Sequence, residues 1–285
     1  MWKIKSNQLN QGMEMAAAVI SCINLKGGVG KTALAVNLAA YCGLLGKKTL
    51  LVDLDPQTNA SFSAVGVAAW QEHVRENGSV ADLLGARKHT TADGTIKDAH
   101  ETIFHDVFKN VDLIPSHIDL FTVDLDLAGA TSRETRLRRA LKDVIDEYDV
   151  VICDCPPNLT IPTQNALAIS THYVVPVSLD FLSAIGVGLL LKRVQEFCND
   201  LEHSLANIGI VISRVGRPAI HRAETEATLR AQFKKSVLTS KISERVSVSA
   251  CAQKQISIFD SKDDISISEF QQVCKILLKN SGVSA

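Results

Sequence analysis

The run Lys26-Gly-Gly-Val-Gly-Lys-Thr32 puts two ammonium groups, three glycines and a hydroxyl into seven residues. Each of these types can act on a phosphate. Glycine backbones fold so that successive N–H groups point at one anion. A lysine at the end of such a loop reaches terminal phosphates, and a following threonine hydroxyl ligates Mg²⁺. Lys31 and Thr32 hold those two positions. The stretch Lys26, Gly27, Gly28, Val29, Gly30, Lys31, Thr32, Ala33 is therefore the candidate nucleotide seat.

A phosphate loop works only if its neighbours hold it. The apolar run Ala17-Ala-Val-Ile-Ser-Cys-Ile-Asn24 before it reads as a buried strand, and Ala33 to Ala40 after it reads as a helix. That helix adds free N–H donors and the positive end of its dipole. A ligand-free glycine turn is the ordinary alternative, and Gly-Lys-Thr in this setting argues against it.

Two further stretches end apolar runs in carboxylates. The first is Leu50-Leu-Val-Asp53-Leu-Asp55-Pro56-Gln57. Hydrolysing a phosphoanhydride needs an oriented water and a carboxylate near it, although Asp-Pro also ends strands in plain turns. The second is Tyr148-Asp-Val-Val-Ile-Cys-Asp154-Cys-Pro156-Pro157. A carboxylate ending a buried strand can hold Mg²⁺; Asp154 could instead cap a helix starting near 160.

The ordinary pattern G-x-x-x-x-G-K-[ST] needs glycine where this chain has Leu25, and a second lysine, Lys26, opens the loop instead. This arrangement, K-G-G-x-G-K-[ST], resembles the deviant Walker A motif of the ParA/MinD ATPases. The resemblance extends over roughly 17–280 and implies ATP and Mg²⁺ as cofactors. Lys26 would cross a dimer interface to the partner's nucleotide while Lys31 serves its own. The D-x-D-P-Q segment is similar to the family's first switch, which would make Asp55 the hydrolytic carboxylate and Asp53 a support of the magnesium shell. Asp154 would be the Walker B acid, and Pro156 would belong to the second switch. Ile242-Ser-Glu-Arg-Val246 falls where the family has a loop against adenine; partition ATPases often read Pro-Arg-Asn there.

Apolar strands alternating with helices predict an α/β fold, a doubly wound and mostly parallel sheet flanked by helices, with ligands at the carboxyl ends of the strands. Strands are expected at 17–24, 48–53, 111–114, 149–154, 172–178, 207–213 and 236–242. Helices are expected at 31–45, 133–147, 183–202, 220–233 and 264–280, and 66–110 as loops and short helices. Residues 1–16 read as a polar arm before a single ATPase domain over 17–285. Low aromatic content, 5%, suits buried parallel strands. The odd count of seven irregularly spaced cysteines predicts free thiols in a cytoplasmic protein. No apolar run of about 18 residues predicts a membrane span.

Peripheral features sort the family's branches. No basic amphipathic helix for a membrane surface follows residue 280, no Cys-x-x-Cys lies near the C-terminus, and no second glycine loop exists. The arm is too short for a helix-turn-helix domain. The chain is thus similar to short partition ATPases, which implies an ATP-dependent homodimer, nonspecific DNA on the nucleoid, and a ParB-like or cargo-adaptor partner protein. Formal net charge is only −1, yet residues 210–245 carry eight Lys/Arg against three Glu. Clustered cations without a base-reading element suit backbone binding, and Arg217, Arg222, Arg230, Lys234 and Lys235 are the candidates. A solvated helix face is the alternative there. For Arg133 to Lys142 a salt-bridged surface with Glu134, Asp143 and Asp146 is expected. The rival function is a MinD-like or regulatory ATPase acting at a membrane surface or on a protein, without DNA.

Overall fold

The computed structural model describes residues 17–85, 97–180 and 182–284; the expected arm at 1–16 lies outside them. In chain order the elements are β1 (Ala18–Cys22), α1 (Lys31–Leu44), β2 (Thr49–Asp53), α2 (Asn59–Asn77), α3 (Val80–Leu84), β3 (Phe104–Phe108) and β4 (Val111–Ile114). Then follow α4 (Val123–Asp126), α5 (Arg136–Ala140), β5 (Val150–Asp154), α6 (Ile161–Ile169), β6 (His172–Val177), α7 (Ser183–Asp200), β7 (Ala206–Ile212), α8 (Ile220–Phe233), α9 (Val246–Gln253) and α10 (Asp264–Ser281).

The strands form one seven-stranded sheet in the order β3-β4-β2-β5-β1-β6-β7. Only β3 runs antiparallel to its neighbour. Residues of β2 and β5 are buried on both faces, as a sheet covered on both sides requires. One face packs under α1, α10 and the start of α2, with Leu34, Leu38, Phe270 and Leu277 among its buried side chains. The other packs under α3 to α8, with Leu137, Leu167, Val187 and Leu229. This is the doubly wound arrangement expected. Its register has a consequence for chemistry: Cys22 pairs with Asp154, and Asp154 pairs with Asp53. Three strands therefore end level at the carboxyl edge of the sheet.

Three expectations need correction. Within 66–110, where 86–96 lie outside the described residues, the rest carries more regular structure than its weak periodicity suggests: α2 continues to Asn77 across a kink at Gly66 (φ 76°), and β3 adds an edge strand. The helix expected over 133–147 breaks into α5 and two short 3₁₀ turns. Two of its arginines bond inward rather than along a helix face. Arg136 donates to the Leu84 carbonyl, Arg138 donates to that of Ala168, and the expected surface pairing survives in Arg133–Glu134 at 2.9 Å. Finally, 236–242 is no strand but touches the sheet through isolated bridges, Ile210–Val237 and, just beyond, Val215–Ser243.

Candidate nucleotide site

The glycine loop leaves β1 through Asn24, a buried side chain that does two jobs. Its amide donates to the Pro176 carbonyl at 2.7 Å, and its oxygen accepts the Lys26 N–H at 2.9 Å. Gly28 and Gly30 then take φ of 73° and 86°, left-handed values that a side chain would strain, and Gly30 opens α1. Lys31 is only 6% exposed, and its ammonium donates to the Lys26 carbonyl at 3.0 Å across the loop. Burial pulls the Lys31 pKa below the ordinary lysine range, against the opposite pull of Asp154 and Asp55.

Asp154 is fully buried, and neither carboxylate oxygen has a hydrogen-bond partner. Burial, then the charge of Asp53, pushes its pKa well above the usual carboxylate range, while the nearby Thr32 hydroxyl and Lys31 pull it down. Orphaned buried carboxylate oxygens are costly. A hard divalent cation, bound by oxygen ligands, would satisfy them. Thr32 is half-buried beside this carboxylate, so the residues present fit Mg²⁺.

Asp53 is differently placed. Its Oδ2 accepts both the N–H and the hydroxyl of Ser61, at 2.8 and 2.7 Å, and its Oδ1 accepts the Asp55 N–H at 3.1 Å. Burial nevertheless raises its pKa to about 7. Asp53 thus braces the next loop and sits beside Asp154 as a charged neighbour. Asp55 lines the cavity; its carboxylate accepts the Gln57 N–H at 2.9 Å, and its carbonyl accepts the Ser116 hydroxyl at 2.6 Å.

Lys31, Thr32 and Asp55 border a cavity of about 760 Å³, while Asp53 and Asp154 are fully buried and do not line it. Gly27, Gly28, Gly30, Lys31, Thr32 and Ala33 form one wall, Asp55 and Gln57 another, and residues 242–252 a third. Val29 is buried behind the loop, where its carbonyl accepts the Ser213 hydroxyl at 2.5 Å. Pro156 is buried too, and Pro157 lines the cavity in its place. The prolines are adjacent, so the motif locates the turn but not which ring faces inward.

Two partners of the loop, Asp180 and Arg214, have no counterpart among the expected residues. Lys26 is exposed but held in cis by Asp180, Nζ to Oδ2 at 2.6 Å. Partial burial raises the Asp180 pKa, yet bonds from Lys26, Ser178 and Ser183 outweigh it and hold the carboxyl below its ordinary range. Asp180 follows β6 as Asp53 and Asp154 end their strands, and that shared position is the available signal. Arg214, just past β7, donates to the Gly28 carbonyl at 2.7 Å and pairs with Glu244 on the third wall. No short motif marks either residue.

The basic candidates scatter. Arg217 is exposed near the start of α8, with Arg222 donating to its carbonyl, and Lys234 and Lys235 are exposed at its far end. Arg230 is not free: Glu226 pairs with it at 2.9 Å and the Leu238 carbonyl accepts its Nη1 at 3.2 Å. Arg214, Lys241 and Arg245 are likewise paired, with Glu244, Glu226 and Asp263. The local cationic excess is smaller in space than in sequence.

Residues 17–207 match the family described as AAA domain. The chromosome-partitioning ATPase Soj of Thermus thermophilus is 38% identical over 227 residues, 80% of this chain and 81% of that protein. The chain belongs to the ParA/Soj family of partition ATPases. The chromosome partitioning protein ParA of Myxococcus xanthus is 31% identical over 88% of this chain and 85% of its own length. An uncharacterized Mycobacterium tuberculosis relative is 35% identical, and the match spans 64% of its length. Among solved structures, apo McdA from Cyanothece shares the ParA/Soj fold at a TM-score of 0.77 and 18% identity, covering 92% of this chain and 99% of that one. Cobyrinic acid a,c-diamide synthase from Mycobacterium smegmatis, solved with an ATP analog and magnesium, gives 0.74 at 26% identity, with 92% and 94% covered.

Proposed function

We propose that this protein is a Mg²⁺-dependent ATPase that pairs two copies on ATP, grips duplex DNA without sequence preference and thereby segregates or positions a plasmid, chromosome region or protein cargo. The observation that carries the reading is that Lys31, Thr32 and Asp55 line one cavity beside the glycine loop, with the unpartnered Asp154 carboxylate buried next to Thr32 and Lys31. Loop N–H groups and the Lys31 ammonium hold the phosphates, and Thr32 and Asp154 hold the metal, with Asp53 in its outer shell. Magnesium neutralises charge on the phosphates when bound. Asp55 orients the attacking water. Lys26 leaves Asp180 and offsets phosphate charge on the partner copy. A ParB-like or cargo-adaptor protein stimulates turnover.

Two copies double the exposed cations Arg217, Lys234 and Lys235, so the pair neutralises twice as many phosphates as one copy does. Retention on arbitrary duplex DNA should appear with ATP, disappear with ADP and weaken with salt. Asp55→Ala should trap the ATP-bound pair on DNA; an Asp55→Ala protein that stays single and unbound with ATP overturns the switch. The internal pairing of Arg214, Arg230, Lys241 and Arg245 favours a second reading, an ATPase that acts on a protein partner without DNA. Dimerisation on ATP with no DNA retention at any salt would select it.

A further inference from the structure

Ser116 is fully buried, and its three hydrogen-bonding groups go to the loop after β2 and to two points along α2 on either side of its kink. The hydroxyl donates to the Asp55 carbonyl at 2.6 Å, the N–H donates to the Ser61 hydroxyl at 3.0 Å, and the carbonyl accepts the Trp70 indole N–H at 2.9 Å. The Ser61 hydroxyl passes on to Asp53. Further along the same connection, the Asp124 carboxylate accepts the N–H of Ile161 at 2.9 Å. Ile161 opens α6, directly after the turn carrying Pro156 and Pro157, and the helix's own flanking residue, Thr160, supplies no side-chain cap. A carboxylate from elsewhere in the chain does so instead, where the helix dipole favours it. Between these two anchors Leu120 and Val123 are buried in the core. The connection is therefore packed in place, and close-packed interiors transmit displacement.

We propose that residues 116–124 are a brace joining the two acidic loops of the site, with Ser116 a positioning residue for Asp55 and Asp124 one for the turn at 155–160. The inference rests on the proposed function, in which Asp55 orients water. A bond to the Asp55 carbonyl holds the backbone of the residue whose carboxylate must be placed to a fraction of an ångström. Misplacement by about 1 Å costs on the order of a hundredfold in rate. Because both anchors belong to one packed segment, loosening either one loosens both loops.

The test compares Ser116→Ala, Asp124→Ala and Asp124→Asn with the native full-length chain by two measurements. Hydrogen exchange is followed without nucleotide at 55–61 and at 156–161. Ser116→Ala and Asp124→Ala should each speed exchange in both stretches, and Asp124→Asn, which keeps an acceptor oxygen, should stay near native. Variants that each disturb only the adjoining stretch overturn the brace. In steady-state hydrolysis the two alanine variants should lose roughly ten- to a hundredfold in kcat at a nearly unchanged KM for ATP, with Asp124→Asn restoring most of it. A loss confined to KM overturns the positioning role. Native protein that shows coupled exchange yet hydrolyses no ATP would uphold the brace and overturn the function on which its catalytic meaning rests.

Discussion

Lys31 and Lys26 carry the same charge in one loop but meet opposite surroundings. Lys31 is buried and aimed across the loop, whereas Lys26 is solvent-facing and tied to Asp180. Their substitutions should therefore separate. Lys31→Ala is expected to weaken ATP binding roughly ten- to a hundredfold, the range of a missing hydrogen bond to a charged group. Calorimetric titration measures it, and near-native affinity would remove Lys31 from the phosphate site. Lys26→Ala is expected to leave ATP affinity near native while abolishing ATP-dependent pairing, read by light scattering. Asp154→Asn should remove the Mg²⁺ dependence of nucleotide binding, because an amide oxygen is a far poorer ligand for a hard cation than a carboxylate. Unchanged Mg²⁺ dependence in that variant would place the metal elsewhere.

Among the elements, α1 holds the site by packing as much as by its dipole. At Gly43 the helix passes so close to the edge of the sheet that an added methyl would lie 2.0 Å from the Lys109 carbonyl oxygen and 2.8 Å from Val111. The Asn110 amide donates to the Gly43 carbonyl at 2.9 Å across the same contact. Gly43→Ala should destabilise the fold by about 2 kcal/mol, as overpacking does, seen as a lower denaturation midpoint with unchanged slope. At the other flank, Glu226 pairs with Arg230 within α8 and ties the helix to the following segment through Lys241. Partial burial raises the Glu226 pKa, but those two cations outweigh it and leave it below the ordinary range. A depressed carboxyl pKa contributes stability above the unfolded-state value and loses it as pH falls through the folded one. Glu226→Gln should therefore lower stability at pH 7 by about 1 kcal/mol or less, given its partial exposure. That difference from native should vanish at pH values below the ordinary glutamate range. A difference that persists in acid would mean packing, not charge, is what Glu226 supplies.

At the scale of the whole molecule, the proposed action depends on doubling a modest cationic surface. Lys234→Glu with Lys235→Glu should reduce DNA retention of the ATP-bound protein and flatten its salt dependence, by a slope change of roughly 0.9 for each phosphate no longer neutralised. An unchanged slope would move the DNA surface off the end of α8. Among the described residues no helix is long and apolar enough to cross a membrane. What the amino-acid sequence determined by itself was local: the glycine loop, the carboxylates Asp53, Asp55 and Asp154, and the alternation that yields a parallel sheet. These are legible because strand, loop and helix chemistry repeat over a few residues, and α/β topology then brings strand ends together. The pairing of Lys26 with Asp180, of Arg214 with Glu244, and of Ser116 with Asp55 joins residues 154, 30 and 61 positions apart in chain numbering. Only the tertiary structure decided those pairings, because hydrogen bonds and ion pairs act over a few ångströms in space and leave no spacing rule along the chain. The same reason explains why Arg136 and Arg138 read as part of a charged helix face but turn inward to distant carbonyls, and why half of the basic residues at 210–245 are neutralised by acidic neighbours.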